Sequence, residues 1–159
     1  MGTRLRYEQM IKNEFPNIEY LRAYSPGNYQ AIIYAGDITQ NLDSETEIKL
    51  LDFFKVSGQA HLEHIIKPYS NLFSDNVPPV DDPPDEIKVL ALAGGLNVSG
   101  IKESVNLAFP FLDVQMVKVE KETIYFTLPE DKHLTNVEWV LINQYMHEII
   151  PLNARAKFI

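Results

Sequence analysis

The chain has 159 residues, 45% hydrophobic and 11% aromatic, with no cysteine and a net charge of −8. Such a chain can bury the core of one solid domain or two small ones, and its aromatic content argues against disorder. Without cysteine there is no disulfide, no thiolate metal site and no cysteine nucleophile. The 14 Lys and Arg residues are scattered, whereas a nucleic-acid footprint needs them clustered against phosphate. No nucleic-acid partner is expected. No apolar run follows a basic start, and none reaches the roughly 18 residues of a membrane span. The expectation is therefore cytoplasmic synthesis with neither a signal peptide nor a membrane partner.

In chain order, Leu5, Met10, Ile11 and Phe15 give a helical stripe over Arg4 to Phe15, stopped by Pro16. Ile18 to Tyr24 and Tyr29 to Ala35 read as a hairpin, with Ser25-Pro26-Gly27-Asn28 fitting a type II turn. Ser44 and Glu47 form a capping box for a helix running toward Gly58. Gln59 to Phe73 is expected to be a further helix, interrupted by Pro68.

Ser74 to Glu86 holds four prolines and five acids with no base, the composition of an extended linker. Beyond it, Ile87 to Ala93 reads as a strand ending at Gly94-Gly95. Ser99 is a candidate cap for a helix through Ala108, stopped by Pro110. Leu112 to Val119 and Thr123 to Leu128 form a second hairpin about Glu120-Lys121-Glu122, with Ile124, Phe126 and Leu128 on one face. Thr135 and Glu138 open a helix to Ile150 in which Trp139, Ile142, Met146 and Ile149 share a stripe, with Val137, Leu141 and Tyr145 beside it. Pro151 ends it, and Ala154 to Ile159 is a final strand. It either pairs inside its own sheet or adds to a neighbour's edge.

These elements predict an α+β fold. Residues 1–73 form an αββα(α) unit, residues 74–86 an acidic linker and residues 87–159 a ferredoxin-like βαββαβ unit. Phe15-Pro16 matches Phe109-Pro110, and the two capping boxes also correspond, with an offset drifting from 94 to 91. That pattern suggests an internal repeat.

No stretch carries an unmistakable catalytic motif. Gly94, Gly95, Asn97, Ser99 and Gly100 lie between a predicted strand and a helix start, where bare N–H groups favour an anion. Ile101 nevertheless separates Gly100 from Lys102, and neither Walker nor Rossmann spacing is met, so a simple strand-to-helix turn is the preferred reading. His61 and His64 stand at i, i+3 on the expected helix with Glu63 adjacent, but a working metal site needs a third and usually a fourth ligand, and surface histidines are the plainer reading. His133 and His147 would complete a cluster only if the halves packed face to face. Asp43, Asp81, Asp82 and Asp85 lack the fixed geometry that acid–base work needs, and no Gly-x-Ser-x-Gly elbow exposes a serine. Tyr20, Tyr24, Tyr29 and Tyr34, with Tyr7, crowd the first helix and hairpin, a composition suited to a contact surface. Lys157, Phe158 and Ile159 join them as candidate interface residues.

The segment Ile142 to Ile159, a helix running through Pro151 into a short terminal strand, resembles the ending of phage tail and baseplate assembly proteins. The resemblance spans residues 142–159, implies a virion component and carries over no catalytic residue. The topology expected of residues 87–150 also resembles ACT-type regulatory domains, whose effectors sit at the loop corresponding to Gly94–Gly100. The function expected is that of a non-catalytic, self-associating structural protein acting through protein–protein interfaces, with no cofactor and no metal. The alternative is an ACT-like small-molecule sensor.

Overall fold

A computed structural model of the chain describes residues 2–58, 61–93 and 96–159, and these form six α-helices and two three-stranded sheets in an α+β arrangement. Helix α1 (Arg4–Glu14) starts where the Thr3 side chain accepts from the Arg6 N–H and ends at Phe15, whose ψ of 71° has left the helical region that a following proline disfavours. Strands β1 (Tyr20–Gly27) and β2 (Gln30–Gly36) are antiparallel, and α2 (Ser44–Ser57) leads to β3 (Glu63–Pro68), which lies parallel to β2. The central β2 is buried at Ala31 through Gly36, as a strand covered on both faces must be.

After a short helix α3 (Asn71–Ser74) the chain runs without regular structure to α4 (Asp85–Leu92), then α5 (Val98–Ala108) and a 3₁₀ turn at Pro110–Leu112. Strands β4 (Met116–Glu120) and β5 (Thr123–Thr127) are antiparallel, and α6 (Asn136–Ile149) leads to β6 (Arg155–Phe158), parallel to β5. Ile124 and Phe126 of β5 point into the core together, as their spacing required. Tyr7, Ile11, Ile33, Leu50 and Phe54 build one core, and Ile101, Val105, Leu112, Phe126 and Ile149 a second.

Two elements differ from expectation. The helix expected over Gln59 to Phe73 is strand β3 followed by α3, with Gln59 and Ala60 outside the described residues. Ile65 and Ile66 pair with Ile32 and Ile33, so β-branched side chains gain a sheet neighbour that a helix would deny them. Pro68 fits because it closes an edge strand, where a missing N–H does little harm. The strand expected over Ile87 to Ala93 is instead α4. Pro84 precedes it, Asp85 and Glu86 occupy its first turn, and Ile87 and Ala91 are the buried pair at helical spacing. Residues 87–159 therefore do not run βαββαβ, and the first half runs αββαβ rather than αββα(α).

Smaller corrections are local. Asn28 and Tyr29, both at positive φ, make the first hairpin turn, so β1 extends through the Ser25-Pro26-Gly27 stretch that was expected to bend. Asp43 rather than Ser44 caps α2, through the Thr46 N–H, and Asn97 rather than Ser99 caps α5, through the Gly100 N–H. Thr135 and Glu138 do form their capping box.

The halves are joined by polar contacts at the start of α1. Thr3 donates its hydroxyl to the Ala91 carbonyl (2.6 Å) and Arg6 donates to that of Leu92 (3.2 Å), covering carbonyls that the end of α4 leaves open. Arg4 sits between two carboxylates, paired with Glu8 on its own helix (2.9 Å) and with Glu148 on α6 (3.0 Å). Glu148 is 2% exposed. Burial pushes its carboxyl upward, but bonds from His147 and Arg4 outweigh that and hold it below the ordinary glutamate range. Replacing Glu148 with Ala leaves the buried Arg4 with Glu8 alone, and urea unfolding should show a loss of up to about 3–5 kcal/mol. A loss below about 1 kcal/mol would mean that water already reaches the pair.

Candidate functional site

A cavity of about 600 Å³ opens between the two halves. The first half contributes Gly58 and His61. The second contributes Leu96 and Ile101 beside α5, Val119, Lys121, Glu122 and Ile124 from the second hairpin, and Pro151, Asn153 and Ala154 after α6. The walls are mainly aliphatic with a few polar groups, the usual make-up of a small-molecule pocket. Glu122 braces the seam, since its Oε1 accepts from the Tyr29 N–H at 2.6 Å. Lys121, at the hairpin tip, has a positive φ of 55° and lines the cavity beside Glu122. Asn153 is 8% exposed and lines the cavity, where its carboxamide is a polar group among aliphatic walls. A carboxamide placed this way can both donate and accept toward a group in the cavity.

Of the loop residues expected to bind a ligand, Gly94 and Gly95 lie outside the described residues. Asn97 spends its side-chain oxygen on capping α5. Ser99 lines a separate, shallow groove with Lys102 and Asn106, and Gly100 lies in the first turn of the helix. The neighbours Leu96 and Ile101 are the ones that reach the seam cavity. Leucine and isoleucine carry no binding signature in a sequence, and Asn153 follows Pro151 in what reads as a plain corner.

His61 and His64 do not share a helix face. His61 precedes β3 and meets Tyr29 edge-on, while His64 lies on the strand, stacked 4.7 Å from Phe54 and 3.3 Å from the Tyr7 hydroxyl. Among the described residues no three His, Asp or Glu side chains gather as metal ligands would. Of the linker acids, Asp82 pairs with Lys88 on the surface.

The tyrosines divide. Tyr34 is 1% exposed and donates to Asp75 at 2.8 Å, so it belongs to the core and not to a surface. Burial, then the bond to Asp75, pushes its hydroxyl well above the ordinary phenol range. Tyr24 is half-buried, Tyr20 meets Tyr69 ring to ring at a tilt of 36°, and Tyr29 is exposed at the hairpin tip.

A second surface lies on α6. Ile142, Met146 and Ile149 face the core as expected, but Val137, Val140 and Leu141 face outward, at 70%, 56% and 37% exposure. Trp139 stands edge-on to Phe158, which stacks on Phe126. Around them Leu134, His133 and the exposed Ile159 line an open groove, and Lys157 projects from the edge strand β6. The helix thus carries more apolar surface than its own core absorbs.

No helix among the described residues is long and apolar enough to cross a membrane. Compared with known proteins, the chain matches no family model and no curated protein sequence.

Burial holds the His64 imidazole below its ordinary pKa. The unfolded chain therefore binds this proton more readily, and stability falls as pH drops from about 6.5 through the lower folded value. Replacing His64 with Phe should flatten that part of the stability–pH curve in urea titrations. An unchanged slope would place the transition in another group.

Proposed function

We propose that this chain is a non-catalytic assembly protein that acts through protein–protein contacts, self-association included. The observation that carries the reading is the outward apolar stripe Val137, Val140 and Leu141 on α6, continued by Trp139 and the β6 edge. Large exposed apolar patches of this kind mark contact sites, and tryptophan is favoured at their centres. The open edge of β6 adds unpaired backbone groups that a second chain can use. The resemblance of Ile142–Ile159 to phage tail and baseplate endings makes a virion component the specific form of this proposal.

Sedimentation velocity tests it. The native chain should associate with rising concentration. Val140→Glu should remain monomeric with its stability changed by no more than about 0.5 kcal/mol, because the side chain is mostly in water. A native chain that stays monomeric throughout would remove the self-association on which the reading rests.

A second reading, small-molecule sensing, is favoured by the Asn153 carboxamide set in the largely aliphatic wall of the seam cavity. A ligand there touches both halves and would favour the native state by mass action. In a thermal-shift screen of amino acids and nucleotides, at least one should raise the melting temperature of the native chain and leave Asn153→Leu unmoved. A flat screen would dispose of this reading.

We further propose that the halves are copies of one αββαβ unit, the second preceded by α4. Three correspondences support this. Both sheets run antiparallel then parallel in sequential order, both crossovers are single helices, and Phe15 and Phe109 end their helices at the same ψ of 71° before proline.

A further inference from the structure

Two bases are buried among the described residues, Arg4 and Arg22, and they are served very differently. Arg4 holds both Glu8 and Glu148. Arg22, on β1 and 9% exposed, has no carboxylate in ion-pair contact among the described residues. Its Nη2 donates to the Pro78 carbonyl at 2.9 Å, and its Nε is buried with no acceptor. Glu8 and Glu148 favour its charge only from beyond contact distance, and burial outweighs them, so a group that meets the guanidinium directly would be favourable.

Arg22 lines a cavity of about 510 Å³ enclosed by the segment that links β3 to α4. Leu72, Phe73, Val77 and Pro79 supply apolar walls, while Ser70 and Asn76 add hydrogen-bonding groups. No carboxylate lines it. The nearby Asp75 is already engaged by Lys67 and Tyr34, each at 2.8 Å. In a chain of net charge −8, the sole charged group in this wall is a base with unused donors.

We propose that this cavity is a binding site for a small monocarboxylate with a compact apolar body, the carboxylate meeting Arg22 and the body lying against Phe73, Val77 and Pro79. A carboxylate matches the planar fork of a guanidinium and balances its single charge. A doubly charged phosphate would be left half compensated among apolar walls. The site shares no lining residue with the seam cavity and does not depend on either reading given above.

Benzoate is a suitable probe, with benzyl alcohol as its neutral counterpart and inorganic phosphate as an anion without an apolar body. Titrated into the isotope-labelled chain, benzoate should shift the resonances of Tyr69, Ser70 and Phe73 saturably. At ten times its Kd it should raise the melting temperature by about 3–5 °C. Benzyl alcohol and phosphate should each bind at least about tenfold more weakly. Arg22→Lys should lose roughly tenfold in benzoate affinity and Arg22→Gln should lose binding altogether. Phe73→Ala, at a side chain 93% exposed and so harmless to the fold, should weaken binding several-fold. Absence of saturable shifts would overturn the proposal. So would equal binding of benzyl alcohol, which would make the cavity a plain apolar slot, or tighter binding of phosphate. Should Arg22→Gln fail to fold, Phe73→Ala and the neutral probe decide the matter.

Discussion

The arrangement of this chain turns on one buried guanidinium. Arg4 lies in the first turn of α1, and its fork is occupied by Glu148 from α6 on one side and Glu8 from its own helix on the other. Burial works against its charge, but the fields of Glu8 and Glu148 prevail and hold the proton more firmly than in a free arginine. The net energy of such a pair is modest, because desolvation consumes most of the attraction. Its effect is directional. Any other seating of α1 against α6 would leave one or more charges unpaired, so the pair selects one orientation of the halves among many that hydrophobic contact alone would tolerate.

Around that pair the seam is fastened by groups with little freedom. Thr3 accepts from Arg6 and donates to Ala91, serving two helices with one hydroxyl. The backbone of Leu152 donates to the Gly2 carbonyl at 3.0 Å, and Glu122 receives Tyr29 from the opposite hairpin. Gly27 has a φ of 94°, and a side chain there would meet the Arg155 guanidinium at 2.6 Å. These contacts define the cavity between the halves without filling it, which leaves room for Asn153 to face open space.

Much of the local structure was legible in the sequence. The two Phe-Pro helix stops, the Thr135 capping box and the period-two burial of β5 were readable because each is fixed within a few residues. What failed depended on partners far along the chain. The isoleucines of β3 looked helical beside Leu62 and Tyr69 until β2 offered them a parallel neighbour. The apolar run of α4 looked like a strand because nothing local shows that Val89, 67% exposed, faces water. The candidate sites were less visible still. Asn153 and Arg22 belong to no motif and acquire meaning only through what surrounds them, and neither charge pattern nor periodicity reports an absent partner.

The Arg4–Glu148 contact also bears on how the protein is made. Its two residues stand 144 positions apart, so the first half leaves the ribosome long before α6 exists. During that interval α1 must keep a charged group in its first turn and the hydroxyl of Thr3 hydrated, and the first three-stranded sheet can close only over its own core. Domains emerging from the amino-terminal side generally fold first, while contacts of high sequence separation close last. Synthesis therefore imposes an order on the seam. Glu148 is the later of the two carboxylates to reach Arg4, which until then has Glu8 of its own helix as partner.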